Sequence, residues 1–194
     1  LPGEALSGGS TIPEPMSSSA ATKEKEREAA PGNGGHKGVL TPLTWSKLKF
    51  LIDSHTDNID RYLGRRYEDQ LVYLEHLKRV RNKYGSVANY LTSHALADLM
   101  EPTRSPTFDA SASLEPDDIR VIPNSFPYFL ADAAEHWVMW SRKRLEPGFN
   151  PPPIVLDIIR DKFGPSIEWR YMVHPPALQS VKELYHAHIF VKRL

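Results

Sequence analysis

The sequence predicts an α+β fold in which N-terminal helices pack on a small, mostly antiparallel sheet, preceded by a disordered tail. Two observations support this. Apolar residues recur with the 3.6-residue period of helices as far as about Leu99, and with the two-residue period of strands from Ile119 onward. All 19 aromatic residues lie from Trp45 onward, so the first stretch has little apolar surface to bury. Helices followed by strands are the pattern of an α+β domain.

Length and composition restrict the classes of protein that need to be considered. A chain of 194 residues and 22.0 kDa is expected to form one domain. Its 24 basic and 24 acidic side chains balance, which argues against coating of nucleic acid or membrane by the whole surface. Without Cys, disulfides, thiolate nucleophiles and Cys-based zinc sites are excluded. No apolar run approaches the ~20 residues of a membrane span, so no membrane partner is predicted.

Composition also predicts the domain boundaries. Residues 1–40 are rich in Gly, Ser and mixed charge and are expected to be a disordered low-complexity tail. Residues 41–194 are expected to form a single α+β domain with an acidic loop at 101–118. Because the chain opens with Leu1 rather than Met, we expect that it was processed or cut from a longer chain.

Three helices are predicted before the loop. Thr44 is a candidate cap for the first, Gly85 ends the second after about Tyr67 to Tyr84, and Ser86 is a candidate cap for the third. Their inward-facing residues are predicted to be Trp45, Leu48, Leu51 and Ile52 in the first, Leu71, Leu74, Leu77 and Val80 in the second, and Val87, Tyr90, Leu91 and Leu99 in the third.

Strands dominate after the loop. Alternation predicts strands over 119–122, 136–140, 167–173 and 184–191, and Pro151-Pro152-Pro153 begins one more helix that runs to Phe163. In the last strand, Leu184, His186, His188 and Phe190 are predicted to share a face.

Common catalytic motifs are missing, and a histidine pair remains. The sequence contains no Gly-rich phosphate loop, no H-E-x-x-H and no G-x-S-x-G. His186 and His188 are two residues apart on a predicted strand, so both imidazoles leave the sheet on one side, about 7 Å apart at Cα. This spacing suits two ligands of one metal, two groups sharing an anion or proton, or a plain structural role. His136 is the candidate third ligand, with Glu135 or Glu168 as a carboxylate, and the sequence assigns no cofactor.

A basic stretch is the candidate nucleic-acid surface. Residues 61–83 carry a net charge of +4. Lys78, Arg79, Arg81 and Lys83 lie close together on one predicted helix and could contact the phosphates of a tRNA, although such runs are more often solvated helix faces.

Five ordered blocks between about residues 43 and 191 resemble the fungal N-acetylglucosamine-induced protein family, whose domain has no known function. The blocks are Leu43-Thr44-Trp45-Ser46-Lys47-Leu48, Tyr84-Gly85-Ser86-Val87 with Tyr90-Leu91, Asp118 to Asn124 with Pro127-Tyr128, His136 to Arg142, and Gln179-Ser180-Val181 with His186 to Phe190. The resemblance implies a fungal source and a cytoplasmic protein, with a nuclear location as the alternative. It favours a functional role for the three histidines, which lie in its blocks. The chain has Ser125-Phe126 where members tend to have Asp-Trp, and Tyr185 where they tend to have Glu.

The leading functional hypothesis is a small enzyme that acts on a sugar-derived or secondary metabolite. His186, His188 and His136 would be its catalytic acid/base or anion-binding groups. The predicted substrate-binding residues are Trp140, Arg142, Trp169, Arg170, Tyr128 and Asn124. One alternative is an aminoacyl-tRNA-dependent transferase of the cyclodipeptide synthase type, with Ser86 or Ser125 as the nucleophile. The other is a non-catalytic module that binds or senses a small molecule.

Overall fold

The computed structural model of this chain describes residues 38–99 and 113–194. The predicted tail therefore lies outside the described residues up to position 37, as does the predicted acidic loop up to position 112. Within the described part of that loop, Pro116–Asp118 form one turn of 3-10 helix.

The described residues contain four α-helices. They are α1 (Trp45–Asp53), α2 (Tyr67–Tyr84), α3 (Val87–His94) and α4 (Pro153–Phe163). The hydroxyl of Thr44 accepts from the Lys47 N–H at 3.3 Å, and that of Ser86 accepts from the Asn89 N–H at 3.0 Å. Gly85 ends α2 at a φ of +78°, a conformation that favours glycine. The two predicted caps and the predicted stop are confirmed.

The strands form two sheets. A short parallel pair joins β1 (Gly38–Val39) to β2 (Arg65–Arg66). The main sheet is antiparallel in the order β3-β4-β6-β5, with β3 at Ile119–Pro123, β4 at Glu135–Ser141, β5 at Ile167–Met172 and β6 at Tyr185–Arg193. The predicted α+β class is confirmed, and β4 and β6 are the two central strands.

The two faces of the main sheet are covered differently. Helix α4 packs on one face, where Val155, Ile159 and Phe163 meet alternate residues of all four strands. On the other face, α1 covers the β5 end with the buried side chains of Leu48 and Leu51. The segment around α3 covers the opposite end. A cavity lies on this second face, beside the inner sides of α2 and α3.

The predicted apolar face of α2 is partly wrong. Leu71 is 52% exposed and Leu74 is 48% exposed, whereas the buried residues are Gln70, Tyr73 and Val80. The helix packs on α3 and on β1 and β2 instead of lying flat on the main sheet. Leu71 and Leu74 therefore turn outward, whereas Leu77 lies on the inner side of the helix and lines the cavity.

Among the described helices, none combines the length and the apolar character needed to cross a bilayer.

Candidate functional site

A partly open cavity of about 260 Å³ lies between the main sheet and helices α2 and α3. The strands contribute His186, His188 and Trp140, and α2 contributes Tyr73 and His76. The loops around residues 123–128 and 174–181 complete the wall. The predicted histidine pair therefore lies at a partly open cavity, which suits a small molecule.

Register brings three predicted histidines together. His186 and His188 are buried and leave β6 on the same face because they are two residues apart. His136, on β4, pairs with Phe190, so it is the diagonal neighbour of His188. The rings of His136 and His188 have centroids 5.1 Å apart, and those of His186 and His188 are 5.7 Å apart.

Hydrogen bonds fix the tautomer of His188 through His136. The backbone N–H of Tyr128 donates to Nδ1 of His136 at 3.0 Å, so a neutral His136 carries its proton on Nε2. This Nε2 lies 2.9 Å from Nδ1 of His188, which therefore accepts. A neutral His188 must then carry its own proton on Nε2 and act as a donor there.

His186 has the opposite arrangement. Its Nδ1 lies 3.0 Å from the carbonyl oxygen of Leu184, which only accepts, so the proton is on Nδ1. In the neutral ring Nε2 is then an acceptor, because the proton is on Nδ1. Burial lowers the pKa of His186, while the bond to Leu184 opposes this change. At neutral pH the ring is uncharged and able to accept a proton.

A fourth histidine, His174, belongs to the cluster and was not predicted. It is 2% exposed, and its Nε2 lies 3.1 Å from the hydroxyl of Tyr128. Burial, with a further contribution from His186, lowers the pKa of His174 to about 4. The only sequence signal was its position just beyond β5, two residues after Met172 and so on the same face as the histidines.

Arg65 is a second residue that the sequence did not single out as a site residue. It is 6% exposed and lines the cavity. Its Nε donates to the carbonyl of Phe126 at 2.9 Å, and its Nη1 donates to Oε1 of Gln70 at 3.3 Å. The guanidinium carbon lies 3.7 Å from the ring centroid of Tyr73. Burial lowers the pKa of Arg65, although arginine stays charged in proteins.

The predicted substrate-binding residues divide into two groups. Tyr128, Trp140 and Asn124 line the cavity, and the Asn124 amide lies 3.4 Å from the His136 ring. Arg142, Trp169 and Arg170 do not line it.

The second group lies elsewhere for structural reasons. Trp169 and Met172 lie an odd number of residues apart on β5, so their side chains lie on opposite faces of the sheet. Trp169 lies on the face that α4 covers. Arg170 forms a bidentate pair with Asp53 of α1 at 2.6 and 2.7 Å. Trp169 and Arg170 border a separate cleft with His55, so their predicted binding role stays a prediction for that cleft. Arg142 lies just beyond β4, and its backbone N–H donates to the carbonyl of Asp118 at 2.9 Å.

The predicted tRNA contacts are exposed on α2. Lys78, Arg79, Arg81 and Lys83 all face solvent, while the opposite side of the helix supplies Tyr73 to the cavity wall. The basic helix and the cavity are therefore adjacent.

The metal hypothesis meets a geometric difficulty at His136. Both of its ring nitrogens lie within hydrogen-bond distance of protein groups, one at Tyr128 and one at His188. Within 38–99 and 113–194, no group of three or more His, Cys, Asp or Glu residues has an arrangement that could hold a metal ion.

An α+β protein with a histidine-lined cavity is thus the class that fold and site define. Comparison with known families gives a more particular assignment. The chain belongs to the family described as a protein of unknown function (DUF3605), which it matches over residues 44–151.

One curated protein and one solved structure are similar to this chain. The chain is 23% identical over 177 residues to N-acetylglucosamine-induced protein 1 of Candida albicans, and the match covers 78% of this chain and 68% of that protein. The predicted resemblance to the N-acetylglucosamine-induced family is confirmed. The crystal structure of HTC1 is similar, with a TM-score of 0.52 and 22% identity over 78% of this chain and 86% of that chain. At this identity the similarity shows a shared fold.

Proposed function

We propose that this protein is a small cytoplasmic enzyme that transfers a proton to or from a sugar-derived or secondary metabolite held in the cavity. His186 is the general base, and His188 donates a hydrogen bond to the group that becomes negative. The observation that carries the proposal is the opposite tautomers of these two neighbouring histidines on one strand.

The two roles follow from where each proton lies. Nε2 of His186 is an acceptor in an uncharged ring, as a base requires before it reacts. Nε2 of His188 is a donor, and His136 holds that ring through Nδ1. A base and a donor with rings 5.7 Å apart suit a substrate whose O–H or C–H lies next to a carbonyl or hydroxyl.

His136 is a positioning residue in this mechanism. It accepts from the Tyr128 backbone and donates to His188, so it sets the tautomer of His188 without itself lining the cavity. Trp140 and Tyr128 form walls, and Asn124 holds the loop by accepting from the Phe126 N–H at 2.9 Å.

Turnover of a metabolite pool tests the proposal. Amino sugars, phosphorylated sugars and fungal secondary metabolites are incubated in heavy water with the full chain, and products are followed by mass spectrometry. His186→Gln should reduce turnover and solvent-deuterium incorporation by roughly 10²- to 10⁴-fold, because glutamine cannot take up a proton. His188→Ala should abolish turnover while the protein stays folded, and His188→Gln should restore part of it because its amide still donates.

The matched control is His55→Asn, which removes an exposed histidine outside the cavity. Asn tolerates the positive φ of 48° at this position. Equal turnover by the His186→Gln variant and the control would contradict the role of His186. A ligand that raises the melting temperature without being converted would favour the sensor alternative.

The aminoacyl-tRNA-dependent transferase is the second candidate, favoured by the proximity of the basic helix to the cavity. A tRNA backbone on Lys78, Arg79, Arg81 and Lys83 would leave its aminoacyl end near Tyr73 on the inner side of α2. Ser125 lines the cavity, whereas the Ser86 hydroxyl is used as the cap of α3, so Ser125 is the better nucleophile of the two.

Salt-dependent binding tests this second candidate. Affinity for charged tRNA should fall steeply with salt, and Arg79→Gln/Arg81→Gln should reduce the salt slope by roughly two units. The matched control is Arg160→Gln, an exposed arginine of α4 on the other side of the sheet. Failure to bind tRNA at low salt would exclude this function.

A further inference from the structure

Arg65 is a buried cation without an acidic partner. Arg65 is only 6% exposed. Among residues 38–99 and 113–194, no carboxylate lies within salt-bridge distance of its guanidinium. Its neighbours are the neutral oxygens of Phe126 and Gln70 and the ring of Tyr73. Buried charges in proteins are normally paired, because the cost of removing them from water is otherwise large.

The position of Arg65 determines what could complete this pairing. The residue belongs to the cavity wall, where it is the one Arg or Lys among the described lining residues. Its guanidinium has five N–H groups, of which the hydrogen bonds to Phe126 and Gln70 use two and a hydrogen bond to the Tyr73 side chain uses a third. Donors therefore remain for a group that enters the cavity.

Trp140 provides an independent second observation. Its indole N–H is buried at the same cavity and has no acceptor in the part of the chain that the structure describes. A buried donor without an acceptor destabilises the protein, and an oxygen of a bound ligand would supply the missing acceptor. Arg65 and Trp140 together therefore give the cavity two buried donor groups that can bind an oxygen of a ligand.

We propose that the cavity binds a small organic acid through its carboxylate, which pairs with Arg65, while its apolar or aromatic body lies against Tyr73 and Phe126. This inference deepens the proposed function, on which it rests, by naming the class of substrate. A carboxylate fits better than a phosphate, because the single positive charge of Arg65 at the cavity wall balances the single negative charge of a carboxylate. The planar fork of arginine also matches the two oxygens of a carboxylate.

Pairs of acids and their amides test the inference without any change to the protein. Benzoate is compared with benzamide, and 3-phenylpropanoate with 3-phenylpropanamide, by calorimetric titration of the full chain. Each amide keeps the shape of its acid and removes the charge. We expect at least one acid to bind roughly ten-fold more tightly than its amide. Inorganic phosphate and a phosphorylated sugar are titrated in parallel.

Two variants assign the effect to Arg65. Arg65→Gln should reduce the preference for the acid to near one, and Arg65→Lys should keep part of it because the charge remains. Arg66→Gln is the matched control, since Arg66 is the next residue and is exposed over the Phe129 ring. Circular dichroism verifies that each variant is folded.

The outcomes separate this inference from the proposed function. If no acid exceeds its amide in the wild-type protein, or if the phosphates bind more tightly than the acids, the carboxylate assignment is overturned. The preference of the wild-type protein for an acid over its amide tests the carboxylate assignment even where Arg65→Gln fails to fold. Loss of turnover in His186→Gln with no acid preference would leave the proposed function standing and remove only the substrate class. A wild-type protein that prefers the acids but converts no metabolite would keep the carboxylate site and remove the proposed enzymatic function.

Discussion

Acid should destabilise this protein through His174, and the size of the effect follows from its surroundings. The ring is 2% exposed, lies 3.1 Å from the Tyr128 hydroxyl, and packs edge-on to His188 at 4.9 Å. His186 also faces it and disfavours its positive charge. Burial, with a further contribution from His186, makes the protonated ring unfavourable in the folded state, whereas the unfolded chain solvates it freely.

The magnitude comes from the difference between the two pKa values of His174. The folded value is about 4 and the ordinary value is 6.5. Between these values the unfolded chain binds the extra proton, so stability rises with pH and is lost as the pH falls. From pH 7 to pH 5 the expected loss of unfolding free energy is about 2 kcal/mol, and below pH 4 the full difference approaches about 3 kcal/mol.

Denaturant unfolding at a series of pH values measures this loss. Unfolding free energies are determined at pH 7, 6 and 5 for the wild type, for His174→Gln and for the control His55→Asn. His174→Gln removes the titrating ring and keeps an amide near the Tyr128 hydroxyl, so its curve should be flatter by about 2 kcal/mol over this range. The control should follow the wild type.

A parallel curve for His174→Gln would refute the reasoning. It would mean that the folded protein accommodates the charge on His174, through movement or water, and that burial does not govern its protonation. Acid sensitivity common to all three proteins would then have to come from other groups, with His186 the next to examine because burial lowers its pKa as well.

Three further predictions concern stability and are measured by the same denaturant unfolding. Leu48→Ala should cost about 2–5 kcal/mol because Leu48 is fully buried, whereas Leu71→Ala should change stability by less than about 0.5 kcal/mol because Leu71 is half exposed; equal losses would contradict the observed face of α2. Thr44→Ala should cost about 1 kcal/mol by removing the cap of α1, while Ser46→Ala, on the exposed first turn, should cost much less. Gly85→Ala should destabilise by roughly 1 kcal/mol because a side chain is strained at its φ of +78°, and an unchanged midpoint would show that α2 can end another way.

Much of the fold was predictable because local signals agreed with packing. In α1, the cap at Thr44 and the apolar period of Trp45, Leu48 and Leu51 all describe the helix that forms. In β6, alternation placed His186 and His188 on one face, as the register confirms. The apolar period failed in α2, because periodicity identifies an apolar stripe but not which side of a helix the rest of the protein covers.

The histidines of the candidate site were predictable where they belong to a strand pattern. His136, His186 and His188 converge because β4 and β6 are neighbours. No comparable signal in the sequence indicated that Arg65 is buried, since arginine is usually exposed. Its burial depends on the loop of Phe126, which lies 61 residues further along the chain. His174 lies beyond the end of β5, so its spacing of two residues from Met172 was the only signal for its place in the cluster.

The two histidines of β6 show how chemistry arises from contacts that the sequence does not display. They are the same residue on the same face of one strand, yet one donates at Nε2 and the other accepts. His186 bonds to a carbonyl two residues away in its own chain segment, whereas His188 bonds to a side chain from β4 that is itself fixed by the Tyr128 backbone. The pair is therefore asymmetric because one contact is local and the other crosses the sheet. A symmetric pair would present two equivalent nitrogens and suit a metal or a shared anion, whereas an asymmetric one suits a substrate that gives a proton on one side and needs one on the other.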